Sequence, residues 1–390
     1  MTSTTPTANI HVLTLTPFYP SLEDDASGCF IAEPLSWLAK NGVSNTVMGV
    51  RPVYRRPRLP HPGLPVAGSF SYFSLPGGFG LPSAGAFLFA RLLSVVRQKH
   101  RHKPFDLIHA HAPLPCGHAA ALLSRELGVP FVVSVHGLDA YSSVQVRGHA
   151  GRWCRRISTM VYRSASRVIC ISQHVRDQVL DGTGNSSSMS VIYNGVDPSV
   201  FLPARDDQAC NPVILSIGNL IPIKGHDLLL RSVVRLKTKY PGLSCEVVGD
   251  GPERAGLLAL ASALKITDSV RFLGRQNRAS VARLLQRCTI FALPSRYEGL
   301  GCVYLEAMSA GKPVIGCRGQ GIAEIIQHGV NGYLVGSDDP QELVTAISDL
   351  LANEALRKRI GDAARQTVLQ GLTLAHQAER LTRVYEECLR

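Results

Sequence analysis

Short β-branched and aliphatic runs alternate with longer stretches of helical spacing along nearly the whole chain, and they do so in two successive series. A chain patterned this way folds as strand, crossover and parallel strand, so it predicts α/β architecture rather than a helical bundle or an antiparallel sandwich. Strands of the first series are expected at residues 10–14, 46–50, 106–109, 131–135, 168–172 and 190–193. Those of the second are expected at 213–217, 245–248, 270–273, 290–293, 314–316 and 333–335. Between the series, residues 201–212 are polar and bracketed by prolines, which reads as a linker. The expected organisation is a first domain over 1–203 and a ligand-binding domain over 204–373, both doubly wound and Rossmann-like and facing a cleft. Residues 374–390 follow as a terminal helix, with Leu374, Ala378, Leu381 and Tyr385 at helical spacing, packing back toward the first domain.

The charge is uneven, and its distribution bounds the partners. Against a net charge of +12, the first 200 residues carry 18 basic and 10 acidic side chains. Two stretches there hold no acid at all, from Glu33 to Asp106 and from Asp139 to Asp177; the second contains Arg147, Arg152, Arg155, Arg156 and Arg163. Such a face attracts an anionic partner: nucleic acid, anionic lipid or a phosphorylated ligand. No basic region interleaves aromatics at a recognised nucleic-acid-binding spacing, so nucleic acid is not expected. Residues 59–90 are uncharged but interrupted by prolines and glycines, which excludes a membrane-spanning helix there. Ten cysteines without a C-x-x-C pair, several inside apolar runs, read as reduced thiols. With no signal-peptide pattern at the N-terminus, the expected location is cytoplasmic, peripheral on the inner face of the membrane at most.

Three stretches carry candidate chemistry. After the strand at 290–293 comes Pro294-Ser295-Arg296-Tyr297-Glu298-Gly299-Leu300-Gly301-Cys302, with a helix expected to open near Cys302, so free N–H groups and the positive dipole end face whatever lies above the strand. Glu306 is the lone charge of that helix and needs a donor, such as ribose hydroxyls; alternatively it only gains dipole energy in the first turns. Lys224 stands near the next helix start after the strand at 213–217. There it can neutralise phosphate, or simply be solvated. His136 follows the strand at 131–135 and can donate to a sugar hydroxyl or a reacting oxygen, though a histidine at a strand end also serves structure alone. His109, His111 and His118 lack any zinc spacing and the chain has no Asp-x-Asp, so no metal is expected. Gly249-Asp250-Gly251-Pro252 lacks the third glycine of a dinucleotide fingerprint, and Pro252 suits the first position of a helix, so no NAD cofactor is expected.

Together these motifs resemble the family 4 retaining glycosyltransferases of the GT-B fold. The resemblance rests on the Glu-x7-Glu pair Glu298 and Glu306 within E-G-L-G-C-V-Y-L-E-A-M-S-A-G-K-P-V, on Gly319-Gln320-Gly321, on Asp106-Leu107-Ile108-His109-Ala110-His111, on His136-Gly137-Leu138-Asp139 and on Lys224. It implies that Glu306 binds the ribose of a nucleotide sugar and that Glu298 lies beside the donor sugar and its leaving group. Gly299, Leu300, Gly301 and Cys302 would offer N–H groups, Lys224 would hold the diphosphate, and His136 with Asp139 would serve the acceptor side. The implied catalytic set is His136, Glu298 and Lys224, with no cofactor beyond the UDP- or GDP-linked donor. The implied acceptor is a saccharide or a polyprenyl-linked saccharide, with peripheral contact to an anionic membrane. Two departures stand out. Asn219 occupies the place of a customary arginine, which leaves Arg275 or Arg318 to add positive charge, and Gly28 alone represents the usual paired-glycine loop. The chain is similar to members that build bacterial exopolysaccharide or teichuronic-type polymers. A non-catalytic sugar-nucleotide-binding component and a GT-B epimerase are the alternatives.

Overall fold

The computed structural model describes residues 9–57, 59, 61–64, 66, 68–141, 146–183, 188–204 and 211–390. The centre of the expected linker, 205–210, and Ser186 and Ser187 of a serine-rich loop lie outside them. The chain divides into two units, one formed by residues up to Tyr193 with Leu374–Arg390 and one by Asn194–Thr373, so the crossing comes ahead of the expected 203/204.

The first unit contains strands β1 (Ile10–Thr16), β2 (Val43–Pro52), β3 (Gly68–Tyr72), β4 (Leu107–His111), β5 (Phe131–Val135), β6 (Arg167–Cys170) and β7 (Met189–Val191). Its helices up to Tyr193 are α1 (Cys29–Lys40), α2 (Leu81–His102), α3 (His118–Leu127), α4 (Gly148–Ser164) and α5 (Gln173–Thr183). The strands form one parallel sheet in the order β3-β2-β1-β4-β5-β6-β7, in register Thr14↔His109 and His111↔Ser134. β1 and β5 are buried throughout, so their apolar residues do not alternate with exposed ones, and their polar members, His11, Thr14, Thr16 and Ser134, are hydrogen-bonded. The sheet's outer strand, β3, was not expected from sequence, because it lies inside the proline- and glycine-rich stretch.

The second unit contains β8 (Val213–Ile217), α6 (His226–Lys239), β9 (Ser244–Val248), α7 (Arg254–Ala263), β10 (Val270–Gly274), α8 (Arg278–Arg287) and β11 (Ile290–Ala292). It continues with α9 (Cys302–Ser309), β12 (Val314–Cys317), β13 (Tyr333–Val335), α10 (Pro340–Ala352) and α11 (Glu354–Gly371). Its parallel sheet runs β10-β9-β8-β11-β12-β13. The strand order reverses between β8 and β11, so their carboxyl-end loops flank the switch point where such sheets bind ligands. Pro252 does not open α7, whose N-cap is Glu253; the Gly249–Gly251 turn instead allows close backbone approach. A Cβ on Gly249 would lie 2.0 Å from the Gly218 carbonyl oxygen, and one on Gly251 2.4 Å from that of Leu220.

The last helix, α12 (Leu374–Cys388), belongs to the first unit. Its stripe of Ala378, Leu381, Val384 and Tyr385 joins Leu35 and Leu38 of α1, Val12 of β1 and Val132 of β5 in one buried cluster. Each such large apolar side chain contributes about 1.5–3 kcal/mol on burial, so α12 is part of the core. Among the described residues, no helix is long and apolar enough to cross a membrane.

Candidate active site

In the second unit, two loops are pressed together at the switch point. Gly225 has φ +67°, and a Cβ there would lie 2.0 Å from the Pro294 carbonyl oxygen. The backbone N–H groups of Arg296 and Tyr297 donate to Ile223 O at 2.8 and 3.3 Å. The Arg296 guanidinium bonds Asp227 at 2.8 and 3.0 Å, Asp338 at 2.8 Å and Pro222 O at 2.9 Å. Those bonds hold the Asp227 carboxyl below its ordinary range, chiefly through the hydrogen bond from Arg296. With the loops locked, Lys224 Nζ reaches Glu298 Oε2 at 2.5 Å, both side chains mostly buried.

Glu298 is held from its other side as well. Its N–H donates to Gln320 Oε1 at 2.9 Å, and its carbonyl accepts from the Gly321 N–H at 2.9 Å. A Cβ on Gly321 would sit 1.8 Å from Gly299 O, so that glycine is required for the contact. Gly301, with φ +83°, is the N-cap of α9, whose residues from Tyr304 to Ser309 are all buried. Gly299, Gly301 and Cys302 occupy this turn with Leu300, which is fully buried and anchors the turn through its side chain. The Cys302 thiol accepts from Asn194 Nδ2 at 3.2 Å, and burial pushes it up to about 12, so it stays protonated at neutral pH.

Glu306, 5% exposed, does have a donor: the guanidinium of Arg278, at the first position of α8, pairs with Oε1. The donor that this carboxylate was expected to need is thus supplied, on one of its oxygens, by a protein side chain. Arg278 also stacks 4.9 Å above the Phe201 ring. A lone buried carboxylate signals that a cation is needed, but it does not say which one across 28 residues of intervening chain. The other cations named from sequence lie elsewhere. Arg318 bonds Glu342 at 2.6 and 2.5 Å and Leu334 O at 2.9 Å, and Arg275 is exposed just after β10. Asn219 is exposed too, its carbonyl accepting from Ile221 N at 2.9 Å.

The first unit holds a separate polar cluster at the carboxyl ends of its strands. His109 is buried between Tyr385 Oη and Ser134 Oγ, each at 2.7 Å, and stacks on His111 at 4.3 Å. His111 Nδ1 lies 3.1 Å from His136 Nε2, one of the two nitrogens carrying the shared proton. Phe30 and Phe18, from α1 and the loop before it, flank His136 at 4.8 and 6.4 Å. Gly28 makes this wall possible: at φ +76° it caps α1, and a Cβ there would lie 2.5 Å from the Phe18 carbonyl carbon. Burial lowers both His109 and His136 to about 3, so both rings are neutral at pH 7. Asp139 Oδ1 accepts from the His136 N–H at 2.9 Å, and burial raises its carboxyl to about 7 against the pull of that bond. His136 Nδ1 and Asp139 Oδ2 are buried without a hydrogen-bond partner. Among the described residues no group of three or more His, Cys, Asp or Glu is arranged to hold a metal; the neighbouring histidines are occupied with one another, Tyr385 and Ser134.

Two parallel Rossmann-like sheets, a terminal helix returning to the first, and a Lys–Glu pair beside a glycine-capped helix at the switch point define a GT-B glycosyltransferase. Residues 206–367 match the family described as "Glycosyl transferases group 1" and residues 31–200 match "Glycosyltransferase Family 4". The chain is 30% identical over 261 residues to an uncharacterized glycosyltransferase of Methanocaldococcus jannaschii, covering 67% of this chain and 70% of that protein. It is 27% identical over 309 residues to the N-acetyl-alpha-D-glucosaminyl L-malate synthase of Bacillus anthracis, covering 77% and 79%. Among solved structures, sucrose-phosphate synthase from Thermosynechococcus elongatus superposes with a TM-score of 0.80 at 18% identity, over 97% and 98% of the two chains. HepE from Anabaena, in complex with UDP and glucose, gives 0.75 at 22% identity over 97% and 100%. The chain belongs to glycosyltransferase family 4.

Proposed function

We propose that this enzyme is a retaining glycosyltransferase that moves a hexosyl or N-acetylhexosaminyl unit from a UDP- or GDP-sugar to a saccharide or lipid-linked saccharide acceptor in cell-envelope or polysaccharide synthesis. The observation that carries the reading is the contact of Lys224 with Glu298 at 2.5 Å, at the switch point and beside the N-terminus of α9. An arriving diphosphate exchanges Glu298 for itself as the partner of Lys224, and Glu298 is released toward the sugar. Glu306 keeps Arg278 on Oε1 and turns Oε2 to the ribose hydroxyls. The C1–O bond to the diphosphate breaks with its electron pair going to the leaving oxygen. The acceptor hydroxyl attacks the same face, and its proton passes to that oxygen. Lys224 and the dipole of α9 then meet the charge that develops, without a metal. On the acceptor side, His136 is neutral and bonds a sugar hydroxyl rather than an anion, its free nitrogen Nδ1 being the available position.

The reading is tested by supplying the purified enzyme with UDP- and GDP-linked hexoses and a lipid-linked saccharide, and reading the anomeric coupling of the product by proton NMR. The expected product keeps the donor's configuration, and Lys224→Ala slows its formation by at least about a hundredfold, the usual cost of one electrostatic stabiliser. Inversion, or an epimerised nucleotide sugar formed without acceptor, would contradict it.

A further inference from the structure

We infer that a cavity in the first unit, walled by the loop after β1 and the turn after β2, takes a phosphate or diphosphate group carried by the acceptor. This deepens the acceptor side of the reading above, on which it rests for its purpose.

The cavity, of about 510 Å³, lies at the carboxyl ends of β1 and β2, next to the point where the strand order of the first sheet reverses between β1 and β4. That is the size of a small-molecule site. Its walls are joined through the backbone: the Leu22 N–H donates to Leu59 O at 3.1 Å and the His61 N–H to Pro20 O at 3.3 Å. Arg51 Nη1 donates to Arg55 O at 2.8 Å, which closes the turn after β2. Arg51, Arg55 and Arg56 all line the cavity as a result.

Three guanidinium groups around one concavity repel one another and focus positive potential into it. Among the described lining residues the one carboxylate is Glu23, and it forms no ion pair with any of the three. Three cations against one anion match a phosphate ester, which carries about −1.5 to −2 at neutral pH, better than a singly charged carboxylate. Two lining residues also hold buried donors that meet no acceptor: Ser21 Oγ, on a residue only 2% exposed, and Arg51 Nε. Buried polar groups are ordinarily satisfied, and acceptor oxygens are what both of these lack.

The loop after β1 links the cavity to the acceptor side. Pro17 and Tyr19 line it, while Phe18 between them turns its ring to His136, with 6.4 Å between centroids. Thr16 Oγ1 fixes that turn, donating to Phe18 O at 2.7 Å and accepting from the Phe18 N–H at 3.0 Å. A phosphate held by the arginines therefore leaves the acceptor's sugar next to the loop that walls His136.

The test is calorimetric titration of the full-length enzyme with glucose 6-phosphate and with geranyl-diphospho-N-acetylglucosamine, against glucose and glucuronate. Binding is expected for a phosphorylated probe and not for glucose, and the tighter of the two phosphorylated probes tells a soluble sugar phosphate from a lipid-linked diphosphate. Arg55→Gln with Arg56→Gln weakens that binding by at least about tenfold, the worth of one hydrogen bond to a charged group. Ser21→Ala weakens it too but leaves Tm unchanged, because its hydroxyl has no partner in the protein to lose. Lys358→Gln, a neutralisation on α11 in the second unit, has no effect. Failure of both phosphorylated probes to bind, glucuronate binding as tightly as glucose 6-phosphate, or phosphate binding that ignores the arginine pair and is lost in Lys224→Ala overturns the inference. Nucleotide titration of the same variants separates the two claims. If nucleotides need Lys224 while the phosphorylated probes ignore the arginines, only the acceptor subsite is wrong; if the arginines govern those probes and nucleotides bind without Lys224, the donor-site reading is wrong.

Discussion

Replacing Arg278 with alanine removes the partner of a carboxylate whose side chain is only 7% exposed, the arginine itself being 17% exposed. Water cannot take over from the guanidinium at that depth, so the cost is that of breaking a buried pair, about 3–5 kcal/mol, rather than the fraction of a kcal/mol of a surface pair. The loss is local at first, because Glu306 sits in the middle of α9 and the residues around it, from Tyr304 to Ser309, are all buried. Amide hydrogen exchange in α9 therefore accelerates by about two to four orders of magnitude, as that energy dictates. Pairing Arg278→Met with Glu306→Gln restores most of the protection, because no charge is then left buried. An Arg278→Ala variant whose α9 amides exchange as in the parent, or a double variant as unprotected as the single, would refute the argument that a buried ion pair holds this helix.

Three further outcomes follow from the geometry. Tyr385→Phe deletes the hydroxyl that meets His109 at 2.7 Å and costs about 1–3 kcal/mol in chemical denaturation, the penalty of a buried polar atom left unpaired. Burial depresses His109 and His136 to about 3 and raises Asp139 to about 7, so the two kinds of group oppose each other. The histidines contribute stability that is full above their unfolded value and is lost as pH falls below about 6.5 toward 3. The folded state holds the Asp139 proton more tightly, so this residue costs stability as pH rises through about 7; Asp139→Asn, which keeps the acceptor for the His136 N–H, gains on the parent over that rise by on the order of 2–4 kcal/mol in thermal scans. Gly321→Ala places a methyl 1.8 Å from Gly299 O; it forces the Glu298 turn open, and nucleotide binding by calorimetry falls at least about tenfold, with a lower Tm.

The strands and the terminal helix were legible because parallel strands buried on both faces must be continuously apolar, and α12 had to bury one stripe. β3 was not, since its five residues, Gly68-Ser69-Phe70-Ser71-Tyr72, hold no branched side chain and lie inside a proline- and glycine-rich stretch. Candidate residues close in sequence, such as Glu298 with Gly299, Gly301 and Cys302, were readable as a turn and helix start. The partners that complete the sites were not. Arg278 meets Glu306 from another helix, Gln320 meets Glu298 from another strand end, and Tyr385 meets His109 across 276 residues. Pattern shows that a carboxylate or an imidazole needs company; only the fold shows which residue supplies it.

The most direct test of the donor site is calorimetric titration of the enzyme with UDP, GDP, UDP-glucose, UDP-N-acetylglucosamine and GDP-mannose in the presence of EDTA, alongside Glu306→Ala and Lys224→Ala. The account predicts that one nucleotide series binds without metal, that Glu306→Ala weakens its nucleoside and sugar-linked forms alike, and that Lys224→Ala weakens every diphosphate. Binding that requires a divalent metal, or that both variants leave unchanged, would contradict it.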